Sequence, residues 1–405
     1  MQTGGNIEHT RYNKLFGFEM DNTIGLNFRH DEIMGLGLNN TYNRQILSTV
    51  SLANVSESTA GAFFKNETHW LEKMRTISAI RGDFINNDVT SLANGYTHTS
   101  ALCIANPTQQ GCYAQNATTS AYINAANSGS AAQILVSPKF SLIVGPWYDT
   151  EYFVNIGYGY HSNDARGTTQ NVFADPANGG ALTSTGGAIK PMAWGRGGEV
   201  GARSNYIAGL NSTVAFWWLE SSEELVWQGD AGTTTANGKS NRYGVEWTNY
   251  YKPTDWLTLD ADLALTTARF ATPQTGCVQN SNPYITIPCS SYAIPNSVGR
   301  VVSAGATVVD PSGLFGTVRL RHFGDVALDN QGTWAPDTSI VNLGAGYKQK
   351  NYKLELDVFN LFDSQSNDIT YAYAYQYPAN ANAQYGMVKH PVEPRMFRGT
   401  ISFNF

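Results

Sequence analysis

The chain reads as an all-β protein, a transmembrane antiparallel up-and-down β-barrel of which about sixteen strands are visible by their alternation. Three observations carry this reading. Charged residues make up only 14% of the 405 positions while aromatics reach 12%, whereas soluble domains carry roughly a quarter charged residues. Apolar and polar side chains alternate with a two-residue period over many segments. Short turns and long polar loops follow one another without a break after residue 131.

The composition suits strands with one face on lipid and one on water. Mean hydropathy is −0.29 and net charge −6, with 22 Tyr, 18 Phe and 39 Gly. A mild negative charge argues against nucleic-acid binding, which requires a clustered basic surface. No apolar run approaches the roughly 18 residues of a membrane helix. The most apolar stretch, Ile134 to Val144, is broken by Ser137, Pro138, Lys139 and Ser141. A closed barrel needs no such run, because it satisfies every backbone group across its ladders. The start, Met1-Gln-Thr-Gly-Gly-Asn-Ile-Glu8, has neither the basic segment nor the apolar core of a signal peptide. The expectation is a mature chain or a portion of a longer one.

The first 130 residues are the less regular part. Phe16, Phe18 and Met20 alternate, as do Ile24, Leu26 and Phe28, and Met74 to Phe84 reads as a strand. Asn86 to Ser130 is rich in Asn, Thr, Ala and Ser and is expected to be a long external loop. Residues 131–405 repeat strand, turn, strand and loop clearly, so the whole of 1–405 is expected to be one barrel domain. Tight connections are expected at Gly145 to Thr150, Ile207 to Leu210, Lys252 to Asp255, Asp310 to Gly313 and Lys348 to Asn351. Long ones lie near 161–196, 221–241, 270–299, 324–337 and 361–394. Outer-membrane barrels have this asymmetry, with short periplasmic turns and long extracellular loops.

Three strands show the period best. Tyr352, Leu354, Leu356 and Val358 alternate with Lys353, Glu355 and Asp357; Leu257 to Leu265 opposes Asp260 and Asp262; Tyr152, Val154, Ile156, Tyr158 and Tyr160 share one face. A soluble sheet would turn its charged face to solvent, and the loop asymmetry decides for the inward assignment. Aromatics flank the tight turns: Trp147 and Tyr148, then Tyr250, Tyr251 and Trp256, then Tyr347 and Tyr352. This matches an interfacial girdle. Phe397, Ile401, Phe403 and Phe405 share a face of the last strand, which ends on phenylalanine. That pattern looks like the signature read by the barrel assembly machinery.

Chemistry is sparse. Cys103 with Cys112 and Cys277 with Cys289 lie in polar, turn-rich stretches without CxxC spacing, so local disulfides are expected, four unpaired thiols being the alternative. His161-Ser-Asn-Asp-Ala-Arg166 invites a hydrolase reading, yet neighbours on an extended chain point to opposite faces, so His161 and Ser162 cannot pair as base and nucleophile. His161, Asn163, Asp164 and Arg166 stand as ligand-contact or loop-anchoring candidates. No HxH or HExxH spacing marks a metal site, and Gly195-Arg-Gly-Gly198 lacks the Lys-Ser/Thr of a phosphate cradle. No resident cofactor is expected. Arg319 and Arg321 share a face with Thr317 and are assigned inward, because a lipid-facing arginine at midplane costs roughly 2–4 kcal/mol.

Four segments carry a family resemblance. Leu354-Glu-Leu-Asp-Val-Phe-Asn-Leu-Phe-Asp363 is followed by His390-Pro-Val-Glu-Pro-Arg395 and a strand ending in Phe. Together they resemble the end of TonB-dependent outer-membrane receptors. Ser137 to Trp147 and Gly157 to Gly167 resemble a strand-turn-strand unit of the same barrels, and the likeness covers 131–405 well and 1–130 loosely. The resemblance implies a 22-strand barrel, an upstream plug domain coupled to the TonB complex, and uptake of a scarce small molecule such as a ferric siderophore or similar metal chelate in the outer membrane of a Gram-negative bacterium. No plug-like segment lies within these residues. A plugless passive diffusion channel and an outer-membrane hydrolase remain the alternatives.

Overall fold

The structure, a computed structural model, describes residues 1–92, 117–175, 181–184, 188–228, 233–279, 282–329, 332–375 and 384–404. Its first strands are β1 (Gln2–Leu15), β2 (Phe18–Tyr42), β3 (Gln45–Leu71) and β4 (Met74–Ser91). A helix α1 (Ala117–Asn127) leads to β5 (Gly129–Trp147) and β6 (Thr150–Ser162), then to the small pair β7 (Val172–Asp175) and β8 (Ala181–Ser184). Next come β9 (Met192–Ser204), β10 (Leu210–Ser221), the pair β11 (Leu225–Gln228) and β12 (Thr233–Ala236), β13 (Ser240–Thr254), β14 (Leu257–Gln279) and β15 (Asn282–Ala293). The chain continues through β16 (Arg300–Val309), β17 (Leu314–Phe323), the pair β18 (Val326–Ala327) and β19 (Trp334–Ala335), and β20 (Thr338–Lys348). It ends with β21 (Tyr352–Phe359), the pair β22 (Asn367–Tyr375) and β23 (Gln384–Pro391), and β24 (Met396–Phe403).

Sixteen strands make one antiparallel sheet in the order β1-β2-β3-β4-β5-β6-β9-β10-β13-β14-β16-β17-β20-β21-β24, with β15 paired to the upper part of β14. Chain order is kept throughout, as an up-and-down barrel requires. The four small pairs stand outside this sheet, each inside one of the long connections. The loops expected near 161–196, 221–241, 324–337 and 361–394 are therefore partly hairpins.

One face of the sheet is an apolar belt. Leu26, Phe28, Ile134, Ile156, Phe216 and Leu356 all expose more than half of their surface there, which suits contact with hydrocarbon rather than water. Tyr152, Val154, Ile156, Tyr158 and Tyr160 are all exposed. Rings gather at the short-turn end as expected: Trp147 meets Tyr152 at 6.3 Å, Tyr148 meets Tyr206 at 6.5 Å, and Tyr347 meets Tyr352 at 6.2 Å. Phe18 and Trp70 add an edge-to-face pair at 5.0 Å.

The first 130 residues correct the sequence reading. Far from irregular, β2 and β3 run 25 and 27 residues, the longest strands of the molecule. Phe16 is not part of a strand; it sits in the β1–β2 turn at φ 51° beside Gly17 at φ 88°. The stretch expected as one loop from Asn86 begins with β4 continuing to Ser91 and closes with α1, while 93–116 lie outside the described residues. Alternation was hard to see because the upper halves of β2 and β3 mix polar and apolar residues on both faces and their ladder shifts register at Ile33/Leu36, Leu38/Asn39 and Asn40/Thr41. His30 bonds Ser58 on the apolar side at 2.9 Å, and Asp31 lies opposite Glu57 on the other.

Candidate functional site: the polar wall

The second face holds the charges and small polar groups, and two arrangements dominate it. The first is a set of ion pairs that cross strands. Arg319 on β17 reaches over β16 to Asp260 on β14, with Nη1 to Oδ2 at 3.0 Å and Nη2 to Oδ1 at 3.1 Å. The residue between them is Gly305, where a Cβ would lie 2.6 Å from Asp260 Oδ1. Gly61 plays the same part at the other end of the sheet. There Arg81 spans to Asn27 at 2.7 Å while holding Asp83 at 2.6 Å, and a Cβ on Gly61 would meet Asp83 at 2.5 Å. Near the short turns Arg75 joins Glu67 at 3.7 Å to Glu151 at 3.3 Å, and Arg203 pairs with the same Glu151. Arg398 holds Asp357 at 2.9 Å.

The second arrangement sits at the long-loop end. After β6 the chain does not run outward but folds onto the β3–β4 wall. Asp164 caps a single 3₁₀ turn, Ala165–Thr168, by accepting from the Arg166 N–H at 2.9 Å, and the Arg166 side chain grips the same carboxylate at 2.6 Å. Ala165 packs among Ala53, Val55 and Val89, with Leu36 alongside. Asn163 is buried; its Nδ2 donates to Lys190 O at 2.5 Å, while its Oδ1 has no partner. α1 braces the segment from behind, since Asn127 Oδ1 accepts from the Asn171 N–H at 2.9 Å and its Nδ2 donates to Val172 O at 2.8 Å.

Beneath this strap Asp31, Glu57 and Asn87 form a row on three paired strands. Asn87 is fully buried, donates to Thr168 Oγ1 at 3.5 Å, and leaves Oδ1 unpartnered. The row lies one step above the end of the apolar belt, level with the polar His30 and Ser58. Burial raises the Glu57 carboxyl above the usual carboxylate range; Asp31 and Asp164 push the same way, and Arg29 opposes them.

Of the expected site residues, the structure brings Asn163, Asp164 and Arg166 together as the strap. His161 stands exposed at the strand end, with Nδ1 3.4 Å from Ser162 O and no catalytic partner among the described residues. Arg319 and Arg321 are on the polar wall six strand steps away, about 29 Å at the usual spacing. Arg319 is paired; Arg321 is exposed and has no partner among the described residues. Phe397, Ile401 and Phe403 are each about two-thirds exposed on the apolar side, and Phe405 lies outside the described residues. Cys103 and Cys112 also lie outside them; the backbones of Cys277 and Cys289 fall on paired β14 and β15, their side chains undescribed. Among the described residues no three His, Cys, Asp or Glu side chains converge as metal ligands.

Sequence reasoning missed Glu57, Asn87 and a groove of about 560 Å³ on the wall. Gly157 opposes Gly197 and Gly159 opposes Gly195 at its floor, with Trp217 and Leu219 beside it. The paired Gly-x-Gly spacing was the available signal.

A 16-strand sheet with a lipid belt, a charged wall and loops on one end defines an outer-membrane barrel. Residues 2–361 match the family model "TonB dependent receptor-like, beta-barrel". The chain belongs to that family, whose members are transporters of the Gram-negative outer membrane rather than enzymes. Solved structures agree on the fold. The ferric-catecholate import receptor Fiu of E. coli K12 superposes with TM-score 0.69 at 15% identity, over 100% of this chain and 54% of that one. The ferric yersiniabactin uptake receptor FyuA of Yersinia pestis gives 0.64 at 13%, over 99% and 53%. The siderophore receptor PiuA of Acinetobacter baumannii gives 0.65 at 13%, over 99% and 55%. The chain thus spans about half the length of the receptors it matches.

Proposed function

We propose that this barrel serves a receptor that imports a scarce small molecule, a ferric siderophore or similar metal chelate, with energy supplied through a plug domain and the TonB complex. The observation that carries this is the polar wall, where most arginines are neutralised by neighbours and the long-loop end is built from folded hairpins. Such a wall is shaped to hold something rather than to stand as an open aqueous pore. The three receptors above are named for ferric chelates or siderophores, which supports that substrate class. On this reading the long connections face outside and capture ligand, Arg321 meets it inside, and Asn163, Asp164 and Arg166 anchor a loop. His161 at the strand mouth is a contact candidate, and Arg319 is structural.

The test uses the full-length receptor carrying this barrel. Expected are saturable binding of a ferric chelate and no steady conductance in a planar bilayer. Continuous ion conductance without chelate binding would instead support the passive channel. Orientation is tested separately with cysteines at Ser312 and Asn296: an impermeant thiol reagent on intact cells should label Asn296→Cys only, and the reverse pattern overturns the assignment.

A further inference from the structure

Ten of the fifteen arginines have a carboxylate within 4.0 Å. Among the described residues Arg300 has none, and it is nevertheless held in place. Its Nε donates to His322 Nε2 at 3.0 Å. Because that ring nitrogen accepts, Nδ1 carries the hydrogen and donates to Ser339 Oγ at 2.9 Å. The imidazole therefore orients the guanidinium and, among the described residues, leaves both its Nη groups without a protein partner. The nearest carboxylate to this relay is Asp337, 3.9 Å from His322 Nδ1 and largely exposed.

The side of the sheet on which this happens is decisive. Arg300 opposes Leu265, and His322 opposes Val302, which opposes Leu263. All are on the lipid face. Below them Val302, Ala304, Ala306 and Val308 descend as the belt; above Leu265, on the same face of β14, stands exposed Arg269, likewise without a partner among the described residues. Arg321, one residue before His322, points the other way, to the polar wall. Arg300 is thus a pre-oriented cation just beyond the apolar residues at the long-loop end of that face, the level at which lipid headgroups would surround it.

We propose that Arg300, oriented by His322 and Ser339 and assisted by Arg269, binds a phosphate of a phosphorylated glycolipid in the outer leaflet. A guanidinium offers paired N–H donors that match phosphate oxygens, and an anionic membrane surface adds attraction within a Debye length. The proposal rests on the long-loop end facing outside, which the cysteine labelling above tests on its own.

The experiment is native mass spectrometry of the full-length receptor released from nanodiscs of phosphatidylcholine doped with bis-phosphorylated lipid A. Wild type should retain the glycolipid. Arg300→Ala should lower retention about tenfold, the size of a lost charge-assisted hydrogen-bonded contact. Arg300→Lys should fall between, Arg300→Ala with Arg269→Ala should reach background, and Arg321→Ala should match wild type. If Arg300→Ala impairs folding, Arg300→Gln in the same assay carries the test. Retention of lipid A by the double variant at wild-type level overturns the proposal. So does equal retention of dephosphorylated lipid A, or complete displacement by millimolar inorganic phosphate, which would mark a free-anion site.

Discussion

The first four strands and the last four main-sheet strands solve the same problem differently. At the start, β2 and β3 simply continue for 25 and 27 residues, so the wall above the membrane is an extension of the sheet itself. At the end, β17, β20, β21 and β24 run only 8 to 11 residues, and the space above them is occupied by separate hairpins, β18–β19 and β22–β23. Those hairpins lock to each other through side chains: Tyr385 Oη donates to Asp329 Oδ2 at 2.7 Å, and burial together with that carboxylate pushes the Tyr385 hydroxyl up. Extension gives a continuous ladder, on which buried polar groups such as Asn87 and Asp83 can be supported. Hairpins give a jointed rim whose main-sheet strands depend on lipid-facing bulk such as Leu356 and Phe397.

The largest effect expected from this difference is at the final strand. β24 has eight residues, and Phe397, Ile401 and Phe403 face lipid. We propose that the apolar face of this strand, with Phe405 just after it, is read by the barrel assembly machinery. Deleting Phe405 in the full-length receptor should cut outer-membrane abundance severalfold on immunoblots of fractionated cells, whereas Asn404→Ala leaves it unchanged. Equal abundance of both variants would remove the assembly role.

A second comparison sets the Arg81–Asp83 pair within β4 against the strand-crossing Asp260–Arg319 pair. The carboxylates differ in burial, Asp83 at 4% exposed against Asp260 at 22%, while Arg81 at 35% and Arg319 at 39% are alike. Neutralising a buried, hydrogen-bonded carboxylate costs more than neutralising a partly exposed one, whose pair contributes about 1 kcal/mol or less. Asp83→Asn should therefore lower the denaturation midpoint in detergent clearly more than Asp260→Asn. Equal shifts would mean that the two walls are alike in energy.

The third prediction concerns the staples. A Cys277–Cys289 bond would close a short loop on the β14–β15 extension and add on the order of 2–3 kcal/mol. Peptide mapping without reductant should recover 277 linked to 289 and 103 linked to 112; crossed pairing or free thiols would end this assignment.

What the sequence revealed followed the membrane. β6, β14 and β21 were legible because hydrocarbon on one side and water on the other impose alternation residue by residue. Where a strand leaves the membrane that contrast vanishes, so the upper β2 was not seen, and β1 and β3 were not read as strands at all. The small hairpins were read as loops for the same reason. The inward assignment of Arg319 was legible from cost alone, but its partner was not. Asp260 lies two strands away, and only the register and the gap at Gly305 bring them together. The strap was half legible: Asp164 and Arg166 stood out as a motif, while Glu57 and Asn87 beneath it belong to strands whose pairing no local pattern announces.

The smallest effect concerns that strap. Glu57 has no hydrogen-bond partner among the described residues, faces Asp31 and Asp164, and lies beside the unpartnered Oδ1 of Asn87. Its carboxyl is raised from the ordinary 4.5 chiefly by burial, with the two aspartates adding and Arg29 subtracting. A carboxyl raised by folding binds its proton more tightly in the folded state, so protonation favours the folded strap. That contribution is complete below the unfolded value and is lost as pH climbs through the folded one. Arg166 holds Asp164, and Arg29 holds Asp31 at 2.6 Å, so neither aspartate is free to relieve Glu57 by turning away. Hydrogen exchange at 163–170 should accordingly quicken as pH rises through the folded pKa, after correction for the intrinsic pH dependence of exchange. Glu57→Gln, which is neutral at every pH and can donate to Asn87 Oδ1, should hold protection constant across the same range. Exchange of the β9–β10 ladder provides the internal reference, because nothing on it faces Glu57. If wild type and Glu57→Gln follow the same curve, the strap is held by Ala165 and its apolar neighbours alone, and the ionisation of Glu57 has no part in it.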